Sequence, residues 1–275
     1  MSRRIDLLRL DYAFSVIVPC LMAVYFNHLN LFDHLDIIAG FLLYAITGNL
    51  LNDAIDLKDP NDVETAQRVE GYRAKELAAM AMLSVLFGTF LFIRTCVEHP
   101  INIIFLLATV FMVIGYCVWF KKWVVINQIL LGISHVVFPY FMIKVDGNVT
   151  DLFTPTDWLL LLTFFAFAYT GQIVHEIIDG DSITRFSLET QRRIVLISSF
   201  VTMGVGILAN IYLWNTVFSY YFLPFVFIPL GTLYIFRRAK PVPKGVKDVG
   251  IVLGNIIMVY FLVLILRNMH VLGML

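Results

Sequence analysis

Apolar runs of about twenty residues, parted by short polar connections, follow one another along nearly the whole chain. Nine such runs fall near residues 12–29, 35–57, 75–96, 100–120, 123–144, 156–179, 191–213, 217–236 and 249–271. Each is long enough to cross the hydrocarbon core of a bilayer as a helix. The third and fourth are separated by little more than Glu98-His99-Pro100, which predicts a tight hairpin. No period-two alternation, low-complexity segment or soluble domain interrupts the pattern. The fold class expected is therefore all-α integral membrane: a nine-transmembrane-helix bundle, with residues 1–275 as a single domain. Pro19, Pro139, Pro224 and Pro229 lie inside runs and are expected to kink them.

Composition agrees with the pattern. The chain is 60% hydrophobic and 15% charged, with mean hydropathy +0.83, whereas soluble domains carry about 45–50% apolar and about 25% charged residues. Lipid must solvate the excess. Arg3, Arg4 and Arg9 ahead of an apolar run resemble a signal peptide, but no small-x-small cleavage site follows, so the run is read as a retained first span. Cys20, Cys96 and Cys117 fall in separate apolar stretches without CxxC spacing, which implies neither a disulfide framework nor a zinc site.

The charges add an orientation. When alternate connections are grouped, one side receives 17 of the 20 Lys+Arg, and the other only Arg94, Lys144 and Arg267. Positive loops stay cytoplasmic, which places the N-terminus inside and the C-terminus on the opposite side. Neither a nucleic-acid partner nor a particular oligomeric state is implied.

One motif occurs twice. Residues 47–56 read Thr-Gly-Asn-Leu-Leu-Asn-Asp-Ala-Ile-Asp, and residues 170–179, at an offset of 123, read Thr-Gly-Gln-Ile-Val-His-Glu-Ile-Ile-Asp. Both segments end runs that cross from outside to inside, so the echo predicts parallel repeats about an axis along the membrane normal, two pseudo-repeated four-helix halves. Positions i, i+3 and i+4 share a helix face. Asn49, Asn52, Asp53 and Asp56 can thus line one wall, and Gln172, His175, Glu176 and Asp179 another, across a cavity opening toward the cytoplasmic side and the lipid. Carboxylates facing one another repel, and a divalent cation relieves that repulsion. All-oxygen ligands suit Mg²⁺, which shares its coordination shell with substrate phosphates. The nearby loops supply Lys58, Arg68, Arg73, Lys121, Lys122 and Arg185 as phosphate-binding cations. The plainer reading of acids and bases at span ends is a set of solvated caps and snorkelling anchors; it holds for Asp59, Asp62, Glu64 and Glu70, and fails for the four acids that recur on matching helices.

Asn52-Asp53-x-x-Asp56 near the end of the second helix resembles the first aspartate-rich motif of the UbiA superfamily of intramembrane prenyltransferases, and Glu176/Asp179/Asp181 the second. Tyr116 followed by Lys121-Lys122 is similar to a Tyr…Lys element these enzymes carry at the end of the fourth span. The resemblance implies Mg²⁺-dependent transfer of a polyprenyl group from an allylic polyprenyl diphosphate to a lipophilic acceptor, of the quinone-precursor aromatic or glycerol-phosphate lipid type. It implies that Asp53, Asp56, Glu176, Asp179 and Asp181 hold metal, and that Asn49, Asn52, Arg68, Lys121, Lys122, Tyr116 and His175 bind the diphosphate. Tyr44, Phe138, Tyr140, Phe167 and Tyr169 are aromatic candidates for stabilising a carbocation, or else ordinary bundle packing. The chain departs from the family pattern after Asp56: position 60 is Pro, and the next acids are Asp59 and Asp62. Asp179-Gly180-Asp181 is also a tighter spacing than the family's commoner one. His175 stands where the first motif has Asn52; it suits a diphosphate hydrogen bond, acceptor positioning or a plain helix end. His135 reads as a hydrogen-bonded interior residue.

A UbiA-type terpene cyclase is the neighbouring alternative, and a cation-coupled membrane transporter the alternative from another class. Transporter sites lie near the bilayer midplane on broken helices, whereas these acids lie at span ends.

Overall fold

In the computed structural model, residues 7–58, 63–121, 123, 125–179, 182–212, 226, 229–233 and 243–271 are described. Among them no strand occurs. Helix α1 (Phe14–Phe26) is followed by α2 (Leu35–Asp56), a short α3 (Val63–Arg68), α4 (Ala74–Leu91) and α5 (Ile93–Glu98). Helix α6 (Ile101–Gly115) ends in a π-helical turn, Tyr116–Phe120. Helix α7 (Ile126–Gly132), a second π turn (Ile133–Val137) and α8 (Phe138–Asp146) run on as one rod. Helices α9 (Pro155–Asp179), α10 (Leu188–Tyr212) and α11 (Pro243–Val271) complete the order.

Among the described residues, seven helical stretches are long and apolar enough to cross a membrane: Leu31–Asp56, Ala74–Leu91, Ile101–Phe120, Ile126–Asp146, Pro155–Ile177, Leu188–Tyr212 and Ile251–Met269. The first expected run corresponds to a shorter apolar helix, Leu10–Phe26. The run expected near 217–236 lies mostly outside the described residues. The run expected over 75–96 is not one helix. It breaks at Phe92, whose buried ring turns inward to meet Phe41 and Tyr44 edge-on, with centroids 5.1 and 5.3 Å away.

The interior follows from which helices are apolar all round. Val16 and Val18–Tyr25 of α1 are buried, and α1 packs against α2, α8 and α11, so this helix sits inside the bundle. The opposite pattern marks the lipid face, where Phe87 and Phe90 of α4, Leu107 and Phe111 of α6, and Leu208 and Ile211 of α10 are exposed. Pro139 explains the second π turn. It lacks an N–H and its ring clashes with the carbonyl four residues back in a regular helix; the widened turn just before it, in which Phe138 N–H bonds the Ile133 carbonyl, relieves the clash.

Each motif helix packs along the next long helix, α2 on α4 and α9 on α10. Gly88 lets α4 come close: a Cβ there would lie 2.7 Å from the Tyr44 ring and 3.2 Å from the Gly40 carbonyl. The echo seen in the sequence extends to the contacts between these helices. Ser84 donates to the Leu43 carbonyl at 2.8 Å, and Thr202 donates to the Ala166 carbonyl at 2.8 Å. Leu43 and Ala166 are related by the same 123-residue offset as the motifs. So are Thr47, which reaches the Ala81 carbonyl at 3.4 Å, and Thr170, which meets the Thr202 hydroxyl at 2.9 Å.

At the end of the bundle away from the motifs, Lys144 is buried at 1% exposure. It donates to Asp157 at 2.5 Å and to the Asp151 and Leu152 carbonyls at 2.8 and 3.3 Å. Tyr140 and Thr154 complete the Asp157 carboxylate at 2.6 and 2.7 Å. This set pins the connection from α8 to α9. Removing one partner of a buried pair strands the other charge, at a cost of about 3–5 kcal/mol. Lys144→Met is therefore expected to lower the melting temperature of the detergent-solubilised protein markedly, and Lys144→Met/Asp157→Leu to regain much of the loss. Equal melting of wild type and Lys144→Met would mean that the pair fixes nothing.

Candidate functional site

The first motif lies at the C-terminal end of α2. Asp53 has no exposed surface, and such a carboxylate must be matched inside the protein. Arg68 does so with both arms, Nη2 to Oδ1 at 2.7 Å and Nε to Oδ2 at 3.2 Å, the fork geometry that favours arginine over lysine. Arg68 gets there because α3 folds back under α2. The next residue, Val69, is buried in a cluster with Leu50, Ala54 and Leu77, and Thr65 accepts a further Arg68 bond at 2.9 Å.

One turn on, Asp56 Oδ2 accepts from Asn52 Nδ2 at 2.6 Å and from Lys121 Nζ at 2.7 Å. Lys121 stands just past the π turn that ends α6, where its N–H bonds the Tyr116 carbonyl at 3.0 Å. A π turn inserted at a helix end re-aims what comes after it; here that places a lysine over the first motif.

The second motif lies toward the end of α9. Glu176 is 1% exposed. Its Oε1 accepts from Asn127 Nδ2 at 2.5 Å and from Gln128 Nε2 at 2.8 Å. Asn127 also donates to the Lys121 carbonyl at 3.2 Å, and Gln128 Oε1 accepts the Val125 N–H at 2.5 Å. That last bond steadies a strained start to α7, since Val125 holds φ at 76°, a region a β-branched residue seldom enters. A continuous run of contacts thus joins the two motifs: Asn52, Asp56, Lys121, Asn127, Glu176.

Of the other expected site residues, Asn49 and Tyr116 are partly buried, and His175 is partly buried with its ring 5.6 Å from that of Tyr12. Asp179 is the last residue of α9, one turn beyond Glu176. Lys122, Asp181, Asp59 and Asp62 lie outside the described residues. Arg73 and Arg185 are exposed, and Lys58 follows α2 in an exposed turn. Two aromatic candidates have packing roles at the far end of the bundle: Tyr44 packs under Phe92 and bonds Thr89 at 2.8 Å, and Tyr140 is committed to Asp157. Phe138 pairs with Phe105. Tyr169 differs, because its i, i+7 spacing puts it on the Glu176 face of α9. His135 bonds Ser134 at 2.9 Å.

The expectation of bare carboxylates facing one another needs refinement. Asp53, Asp56 and Glu176 each have their own donors, and they do not all lie within 4.8 Å of one another. The donor set still suits a hard cation. It is all oxygen, and Asn52 Oδ1, next to Asp56, is shut off from solvent and accepts no hydrogen bond among the described residues. Asn127 and Gln128 were missed in the sequence. The available signal was an adjacent pair of amides in an otherwise apolar run, where polar side chains require partners.

No protein-family model matches the chain, and neither does any curated protein. The likeness lies in the fold. A solved structure of a digeranylgeranylglyceryl phosphate synthase in membranes superposes with a TM-score of 0.60 at 13% sequence identity, covering 96% of this chain and 97% of that one. That likeness is one of fold: an all-helical membrane bundle of the kind expected from the sequence.

Proposed function

We propose that this protein transfers a polyprenyl group from an allylic polyprenyl diphosphate to a lipophilic acceptor, with residues 1–275 forming one nine-span domain whose acidic site faces the cytoplasm. The observation that carries this reading is the Asp56–Lys121–Asn127–Glu176 run, which gathers acids from both motifs and phosphate-suited cations at one end of α2 and α9. The neighbour's product makes a glycerol-phosphate lipid the first acceptor to test, with an aromatic quinone precursor beside it.

Asp53, Asp56, Glu176 and Asp179, with Asp181, would hold Mg²⁺. When bound it would offset the diphosphate charge and help that group leave. Arg68 and Lys121 supply the fixed positive charge for the diphosphate oxygens, and their side chains keep 15% and 21% exposure in their pairs with Asp53 and Asp56. Asn127 and Gln128 hold Glu176 in one orientation. The allylic C–O bond breaks with its electron pair leaving on the diphosphate, the acceptor's nucleophilic atom bonds the allylic carbon, and the acceptor releases a proton. Tyr169, on the Glu176 face, offers its ring to the developing cation, and the surrounding apolar helices keep water from it.

Purified protein with Mg²⁺ is expected to release diphosphate from geranylgeranyl diphosphate in step with prenylation of the acceptor, read by mass spectrometry. Asp53→Asn and Asp179→Asn should each abolish turnover, and Asp53→Asn should also lower the melting temperature, because it leaves Arg68 without its buried counter-charge; wild-type rates in either would sink the shared-site reading. Diphosphate release without any prenylated acceptor, accompanied by a cyclised hydrocarbon, would move the assignment to a terpene cyclase.

Arg68→Ala and Lys121→Ala are expected to weaken binding of a non-hydrolysable prenyl diphosphate analogue by about tenfold or more, as loss of a charge-assisted contact does. Unchanged affinity in titration calorimetry would remove that residue from the substrate site.

A further inference from the structure

The end of the bundle opposite the acidic motifs carries a second ionic cluster that prenyl transfer does not use. Arg94 is its hub. It grips Asp36 through Nε and Nη2 at 2.7 and 2.9 Å, Glu98 through Nη1 at 3.0 Å, and Asp146 Oδ2 through Nη2 at 3.0 Å. Three carboxylates share this one guanidinium. His34 donates from Nδ1 to the same Asp146 oxygen at 2.6 Å.

Asp146 is therefore a carboxylate with one oxygen bonded twice, and Thr95 is the further hydrogen-bonding side chain beside it. The Asp146 side chain is only 1% exposed, and Oδ1 accepts no hydrogen bond among the described residues. A buried anionic oxygen left unmatched is costly. Glu98 is exposed, with Oε2 committed to Arg94. The imidazole of His99 makes no hydrogen bond among the described residues. Glu98, His99 and Asp146 each present one ligand atom, and the three atoms all lie within 4.8 Å of one another.

We propose that Glu98, His99 and Asp146 form a site for a divalent transition-metal ion, and that the ion is Zn²⁺. One imidazole nitrogen with two carboxylates is a borderline donor set that favours Zn²⁺ over Mg²⁺. Three protein ligands leave a fourth, water-filled position on the exposed side. Arg94 and His34 act as the outer shell: they hold Asp146 Oδ2 and Glu98 Oε2, so that the remaining oxygens face the ion. Bonds of about 2.0–2.1 Å set ligand atoms about 3.3 Å apart in a tetrahedron. Glu98 and His99 flank the solvent at the α5–α6 turn and have the freedom to close that gap. The ion would tie the α5–α6 turn to the end of α8, so its binding stabilises the folded bundle.

The test uses the full-length protein in detergent, stripped with chelator and titrated with Zn²⁺ by calorimetry and by melting temperature. Because the motif acids also suit a divalent cation, the titration is run in parallel on Asp53→Asn. The expected result is one Zn²⁺ site per chain, retained in Asp53→Asn, not displaced by millimolar Mg²⁺, and accompanied by a rise in melting temperature. His99→Ala and Glu98→Gln should weaken it by more than about tenfold and abolish the rise. Asp146→Asn tests the buried ligand; should it fail to fold, the two exposed positions decide. The proposal is overturned if the wild type binds no Zn²⁺, if both exposed variants bind as tightly as wild type, or if binding disappears in Asp53→Asn. The last outcome would assign the ion to the acidic motifs and leave the prenyl-transfer reading standing.

Discussion

An acid enclosed in a lipid-bounded bundle must find its hydrogen-bond donors within the protein, and the arrangement at the motif end follows from that requirement. Asp53 is fully enclosed and Glu176 nearly so. To serve Asp53, the chain folds α3 back beneath α2 until Arg68 reaches both carboxylate oxygens. To serve Glu176, it starts α7 abruptly, so that two amides meet one oxygen. The cost of that start is visible at Val125, with φ 76°. Strain of this kind is worth on the order of 1–3 kcal/mol and persists only where its surroundings enforce it. Here Gln128 enforces it, with one end of its amide on Val125 and the other on Glu176.

The two halves solve the same problem with different chemistry. Asp53 and Asp56 are matched by full cations, whereas Glu176 is matched by neutral amides. Asp179 follows one turn further along α9. The first half thus meets its acids with charged donors, and the second sets two amides on one carboxylate oxygen. Repeated motifs need not have identical roles. The inter-helix hydrogen bonds at Leu43 and Ala166 preserve the common frame on which the two solutions were built.

Much of this was legible in the sequence because it is periodic. The i, i+3, i+4 spacing set Asn52, Asp53 and Asp56 on one face, and the 123-residue echo set Glu176 in the matching place. What escaped were the pairings. Asn127 and Glu176 are 49 residues apart, and Lys121 and Asp56 are 65 apart; no local rule connects them. The π turns escaped for a related reason, since they respond to Pro139 and to the re-aiming of Lys121 rather than to a local preference. Glu98-His99 read only as a hairpin, because the partner that gives it chemical meaning, Asp146, lies at the end of another helix.

The ends of the bundle also differ in how completely their charges are satisfied, and this separates structure from chemistry. Lys144 has 1% exposure, and it and Asp157 use nearly every donor and acceptor they own, so nothing remains for a ligand. Arg68 and Lys121 pair just as closely with their acids, yet they keep a path to solvent, and beside them Asn52 holds an unused acceptor. A saturated pair fixes a loop. A pair with partly exposed cations and a spare oxygen has the capacity to exchange partners, as binding a diphosphate demands. By the same measure the Arg94 cluster is intermediate: its arginine is saturated, but Asp146 Oδ1 is not. That oxygen is the acceptor the proposed ion would use.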